Sequence, residues 1–163
     1  MATAVSAPPH RALTPAGVSA ALLAIAVLAF ALPYVAVRTL HSRRLAAADQ
    51  RTHAIAERLQ AVVDSGSAQI PPGTEVLAGA GDRPVVPAGD ELWNSATSIP
   101  LARVIGATLA VADPWGNAYL VNIAASRDGG RVWVLSAGPD GIVQTPFLAT
   151  GAPAGDDRAA PVR

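Results

Sequence analysis

The sequence predicts an α+β protein: a long N-terminal helix, part transmembrane and part amphipathic spine, packed on a small antiparallel sheet. Three observations predict it. No charged residue lies between Arg11 and Arg38. Apolar or small residues then recur alternately three and four apart at Leu45, Ala48, Thr52, Ile55, Leu59 and Val62, which is helical spacing with one buried face. From residue 113 on, short β-prone runs alternate with clusters of Asp, Gly, Pro and Asn. Composition agrees. Of 163 residues 51% are hydrophobic but only 4% aromatic, so the apolar content is mostly Ala, Val and Leu and exceeds what a small soluble core uses.

Residues 1–15 read as an N-terminal arm and 16–37 as the transmembrane helix, AGVSAALLAIAVLAFALPYVAV. At about 1.5 Å per residue this run spans roughly 33 Å, against a bilayer core of about 30 Å. Tyr34 suits the interface, and Pro33 is tolerable inside a membrane helix. A cleaved secretory signal would have a shorter apolar region. Residues 38–64 form the amphipathic spine. No Gly or Pro interrupts it, so the membrane helix runs straight on until Ser65-Gly66 supplies a C-terminal stop. The stripe would pack on the head, on a neighbouring subunit, or simply in the monomer's own core. Arg38, Arg43 and Arg44 beside the span argue by the positive-inside rule for a cytoplasmic C-terminal part.

Residues 65–112 read as a loop-rich connection punctuated by Pro71-Pro72-Gly73, Gly79-Ala80-Gly81-Asp82 and Pro87-Ala88-Gly89-Asp90. Val76-Leu77 and Val85-Val86 are brief strands or extended loop. Leu101, Val104 and Ile105 have the spacing of a short helix. Asp82, Asp90 and Glu91 have no His or nucleophile nearby and read as a solvated loop face. Residues 113–157 form the β head with its C-terminal loop, and 158–163 a frayed tail. In Asp113-Pro114-Trp115-Gly116-Asn117 the Asp can accept from following backbone N–H groups, Pro fixes φ and Gly frees the turn. Trp115 is expected to pin this turn to the core. Residues 119–123 and 131–136 read as strands joined through Ser126-Arg127-Asp128-Gly129-Gly130. Ala137-Gly138-Pro139-Asp140-Gly141 is a further turn with one carboxylate at its tip.

Several function classes fall away. Without cysteine there are no disulfides and no thiolate metal site. A net charge of zero, spread rather than blocked, argues against nucleic acid as a partner. No P-loop, dinucleotide fingerprint, HExxH or G-x-S-x-G elbow occurs. His10, His41 and His53 all precede the head, so a Ser-His-Asp or His-metal site there is not expected, nor is an enzyme. His53 pairs with Asp49 one helical turn earlier.

DPWGNAY, a strand, the DGG turn, VWVLSAGPDG, then TPF and GDD together resemble the C-terminal half of type II secretion pseudopilins, the major (G-type) subunit and its pilin-like relatives. The likeness is strongest over residues 113–157. It implies the pilin-like lollipop and a structural assembly subunit of a pseudopilus or a type IV pilus-related machine. It also implies self-assembly, contacts with other pseudopilins or secretion-machine subunits, and membrane lipid around the helix. The anchor would be a single pass in the bacterial inner membrane, with the head in the periplasm. In that family a calcium ion is held in the loop after the last strand; Asp140, Asp156 and Asp157 stand at the matching positions, and Ca²⁺ suits such oxygen ligands. Prepilin cleavage would fall after Gly17, although Val18 follows it and Leu22 stands where the family carries Glu. The alternative function is a monomeric, single-pass membrane-anchored binding module that does not polymerise.

Overall fold

A computed structural model describes the backbone from Pro15 and the side chains from Ala26 to Arg163. The chain divides into two compact units, one ending at Leu40 and one running from His41 to Arg163. One helix, α1 (Pro15–Asp64), includes residues of both and carries Pro33 in its interior. It stops where the sequence placed the stop. Gly66 takes φ +66°, its N–H donates to the Val63 carbonyl, and the Ser67 N–H donates to the Val62 carbonyl. This paired closure satisfies two end carbonyls of the helix and requires the left-handed conformation that glycine adopts without strain.

In the first unit, residues 26–40 are exposed on every side, including Phe30 at 83% and Tyr34 at 67%. Among the described residues no helix is long and apolar enough to cross a membrane. The first part of the expected span, residues 16–25, lies outside the residues whose side chains are described, and so does the expected cleavage position Gly17.

In the second unit α1 becomes one-sided. Ala48, Thr52, Ile55, Ala56, Leu59 and Val62 are buried, while Arg51, His53, Glu57 and Arg58 face outward. Leu45, the first residue of the expected stripe, is only half-buried. The remaining elements are β1 (Val76–Ala78), β2 (Val86–Pro87), α2 (Glu91–Ser95), β3 (Ser98–Pro100), α3 (Ala102–Ile105), β4 (Leu120–Val121), a 3₁₀ segment (Ile123–Asp128), β5 (Trp133–Ser136), β6 (Ile142–Val143) and β7 (Arg158–Pro161).

Five strands form one sheet in the order β3-β1-β4-β5-β7, and β2 pairs with β6 separately. The sheet is mixed, which corrects the antiparallel expectation: β1 runs parallel to β3, and β2 parallel to β6. The connection 65–112 is therefore part of the head, because it delivers two of the five strands. Residues 158–161 likewise form an edge strand, where a frayed tail was expected. Pro161 fits there because residues 158, 160 and 162 direct their amides at β5, as the Val162 bond to the Val132 carbonyl shows; the missing donor faces the open edge.

The alternation of side chains across the sheet makes two cores. Leu77, Val121, Val134 and Ala160 lie in register and pack with Ile55, Ala56 and Leu59 of α1. Leu120, Leu135 and Ala159 face the other way and join Trp93 of α2, Trp133 and Phe147. The sheet thus separates α1 from a second layer built of α2 and the loop around Phe147. The stripe on α1 is consumed within the monomer. At about 25 cal/mol per Å² of buried apolar surface, seating side chains such as Ile55 and Leu59 stabilises by about 2 kcal/mol each.

Candidate functional site

The polar chemistry of the head concentrates where the Asp113 turn meets the 137–141 turn and the C-terminal loop. Asp113 is buried at 5% exposure. Its Oδ1 accepts from the backbone N–H of Trp115 at 2.9 Å and of Asn117 at 2.8 Å. Its Oδ2 accepts from the Ser136 hydroxyl at 2.7 Å and from Asn117 Nδ2 at 3.2 Å. Asn117 Nδ2 also donates to the Gly138 carbonyl at 2.7 Å, so one amide ties the two turns together. The carboxylate is buried because four donors replace its water. Trp115 is not the anchor expected: it is half-buried and belongs to neither core, and Asp113 with Asn117 holds the turn instead.

The three carboxylates singled out for calcium surround Gln144. Asp140 is exposed; its Oδ1 accepts from the Ile142 N–H at 2.8 Å and its Oδ2 from Gln144 Nε2 at 3.1 Å. Gln144 Oε1 accepts from the Asp156 N–H at 3.3 Å. Asp157 is buried, and its Oδ2 accepts from the backbone N–H groups of Gln144 at 2.9 Å and Thr145 at 2.7 Å. Burial raises the Asp157 carboxyl above its ordinary range; bonds from Thr145 and Gln144 oppose this, and the neighbouring Asp156 charge adds to it. Asp156 Oδ1 and Asp157 Oδ1 are buried without a hydrogen-bond partner, which is the state a cation would relieve. Among the described residues, however, no group of three or more His, Asp or Glu is placed to hold a metal ion. Asp156 and Asp157 suit a cation, whereas both Asp140 oxygens are engaged by the chain.

Four residues to which the sequence assigned no such role hold the irregular segment 144–157. Asp90 caps α2 through the Leu92 N–H and accepts the Phe147 N–H at 2.8 Å, so it is no solvated loop carboxylate. Trp93 donates its indole N–H to the Thr145 carbonyl at 3.0 Å and meets Phe147 edge-on at 4.9 Å. Asn122 accepts the Trp133 N–H and donates to the carbonyls of Arg131 and Phe147. Thr145 Oγ1 accepts the Ala154 N–H at 3.0 Å. Asp90 followed by Glu91 is a helix-start signal that could have revealed α2. Nothing local marks Asn122, whose partners lie 9 to 25 residues away.

Tyr119 is fully buried and its hydroxyl has no hydrogen-bond partner. Burial, reinforced by the Asp113 charge and countered by Arg51, pushes the phenol up to about 12. Nearby, Arg51 Nη1 donates to the Ala112 carbonyl at 2.8 Å. His53 Nδ1 meets the Asp49 backbone carbonyl at 2.7 Å, replacing the expected side-chain pair. In this arrangement the polar groups hold turns, the Ser136 hydroxyl on Asp113 among them.

Comparison with family models, with curated proteins and with solved structures finds no match.

Proposed function

We propose that the chain is a structural assembly subunit, a pseudopilin-like component of a type II secretion or type IV pilus-related machine. It would be held in the bacterial inner membrane by the apolar part of α1, with its head in the periplasm. One observation carries the reading: α1 is continuous from Pro15 to Asp64, exposed all round over 26–40, and seated on the head over 48–62. Over 26–37 its apolar side chains are exposed on every side, a surface that suits lipid or other helices around it. Support also comes from the DPWG-to-GDD pattern and from a network of bonds that stabilises turns. The work assigned to the protein is cohesion and contact, with no catalysis.

In this reading calcium would sit against the free oxygens of Asp156 and Asp157, tying the C-terminal loop to the Asp140 turn. Melting with EDTA and with added Ca²⁺ tests this. Calcium at 100 times its dissociation constant stabilises by about 2.7 kcal/mol. Asp156→Asn and Asp157→Asn should reduce the shift, and no shift in the unaltered chain removes calcium from the account. Processing is tested by the mass of the membrane-extracted protein: the reading expects a chain beginning at Val18. An intact start near Met1 favours the second reading, a monomeric membrane-anchored binding module. That reading is favoured by Leu22 in place of the family's Glu and by the arginines beside the span.

A further inference from the structure

We propose that the heads join head to tail, the Glu91–Leu92 end of α2 in one copy entering a basic-rimmed groove on the next; this rests on the assembly reading above. The groove lies between the end of α1 and the 3₁₀ segment and has a volume of about 770 Å³. Leu59, Val63 and Ile123 line its apolar part, and Arg127, Arg131 and Arg163 its polar part. No Asp or Glu is among the described residues that line it. Arg127 and Arg163 supply its positive charge, because the Arg131 guanidinium lies over the Trp133 ring at 5.4 Å, on the other face of the sheet. Cations bordering an apolar floor select a partner that presents an anion beside an apolar side chain.

The chain carries such a partner on its other side. In α2, Glu91 is exposed and Leu92 is 48% exposed, an unusual position for a leucine beside a carboxylate. The Asp90 cap and the buried Trp93 hold this short helix rigidly, so the pair is presented with little ordering cost on contact. Trp93 packs on the sheet face opposite α1, whereas the groove is built on the α1 face. One head therefore cannot satisfy its own groove. The arm at residues 1–14 is no rival occupant, since it carries Arg11 and His10 and no acid. A contact between two different surfaces is heterologous and propagates from copy to copy, giving a ring or an open helical array.

The absence of cysteine makes the test clean. Leu92→Cys and Ser126→Cys, both at exposed positions, are prepared as separate full-length chains, solubilised in neutral detergent, mixed and mildly oxidised. The proposal expects a disulfide dimer only in the mixture, and a ladder when both substitutions share one chain. Arg127→Glu with Arg163→Glu should cut the cross-linked yield at least tenfold, and a partner carrying Glu91→Arg should restore it. Sedimentation of the unaltered chain separates the two levels. Oligomers without the 92–126 disulfide overturn this contact and leave assembly standing. A chain that stays monomeric at all concentrations overturns both. Phosphatidylglycerol vesicles provide the remaining arm: charge-dependent vesicle binding through Arg127 and Arg163, without the disulfide, makes the groove a lipid site and overturns the proposal.

Discussion

Asp113 receives two backbone and two side-chain hydrogen bonds and, through Asn117, joins two turns that are 21 residues apart at their contact. Asp113→Ala strands these donors in a buried site, and urea unfolding should show a loss of at least about 2 kcal/mol. Tyr119 behaves differently, because its buried hydroxyl has only the Arg51 guanidinium beside it and no well-aligned hydrogen bond. Tyr119→Phe should change stability near neutral pH by less than about 1 kcal/mol. The folded phenol titrates near 12 against an ordinary 10, so the folded state holds the proton more tightly. Its contribution is intact below pH 10 and is lost as the pH rises towards 12. Absorbance at tyrosinate wavelengths in a Tyr34→Phe background reads this directly, and Tyr119→Phe should remove that part of the alkaline destabilisation. At Gly155, φ is +61° and an added Cβ would overlap Gln144 Oε1. Gly155→Ala should drive Gln144 off Asp140 and the Asp156 N–H, and limited proteolysis should then cut the 144–157 loop faster.

At the scale of elements, α1 holds the head by one face only. Leu59→Ala should cost about 2–5 kcal/mol, whereas Val63→Ala, 49% exposed, should stay within about 0.5 kcal/mol. Denaturant midpoints of the two variants check this contrast. The stripe was legible because helical period alone predicts burial: Ala48, Thr52, Ile55, Leu59 and Val62 are all buried as their spacing requires. The stop at Gly66 was legible for the same local reason. The β1–β3 pairing was not, because strands of two or three residues carry no period and their partners are chosen by packing. Strand β7, Arg-Ala-Ala-Pro, has none of the usual β-formers; register with Trp133–Ser136 makes it a strand. Of the candidate site, the Asp113 turn could be read from residue types. The engagement of Asp140 by Gln144, and the burial of Asp157 under Thr145, depend on how the C-terminal loop returns to the sheet.

At the scale of the whole molecule, the apolar surplus in the composition now has a location. The second unit uses its aliphatic and aromatic residues in two cores, one on each face of the sheet. The segment 26–40 leaves its own exposed, with Val27, Phe30, Leu32, Tyr34 and Val37 each more than half accessible. Such a surface is stable only when covered by lipid, by neighbouring helices, or by both. An assembly subunit uses both, and a monomeric anchor uses lipid alone. Sedimentation of the full chain reconstituted in lipid discs large enough for several copies separates these readings most directly. The account predicts that copies per disc rise with protein density beyond the dimer, and that Arg127→Glu with Arg163→Glu lowers that number. One copy per disc at every density, with the variant indistinguishable from the unaltered chain, would contradict it.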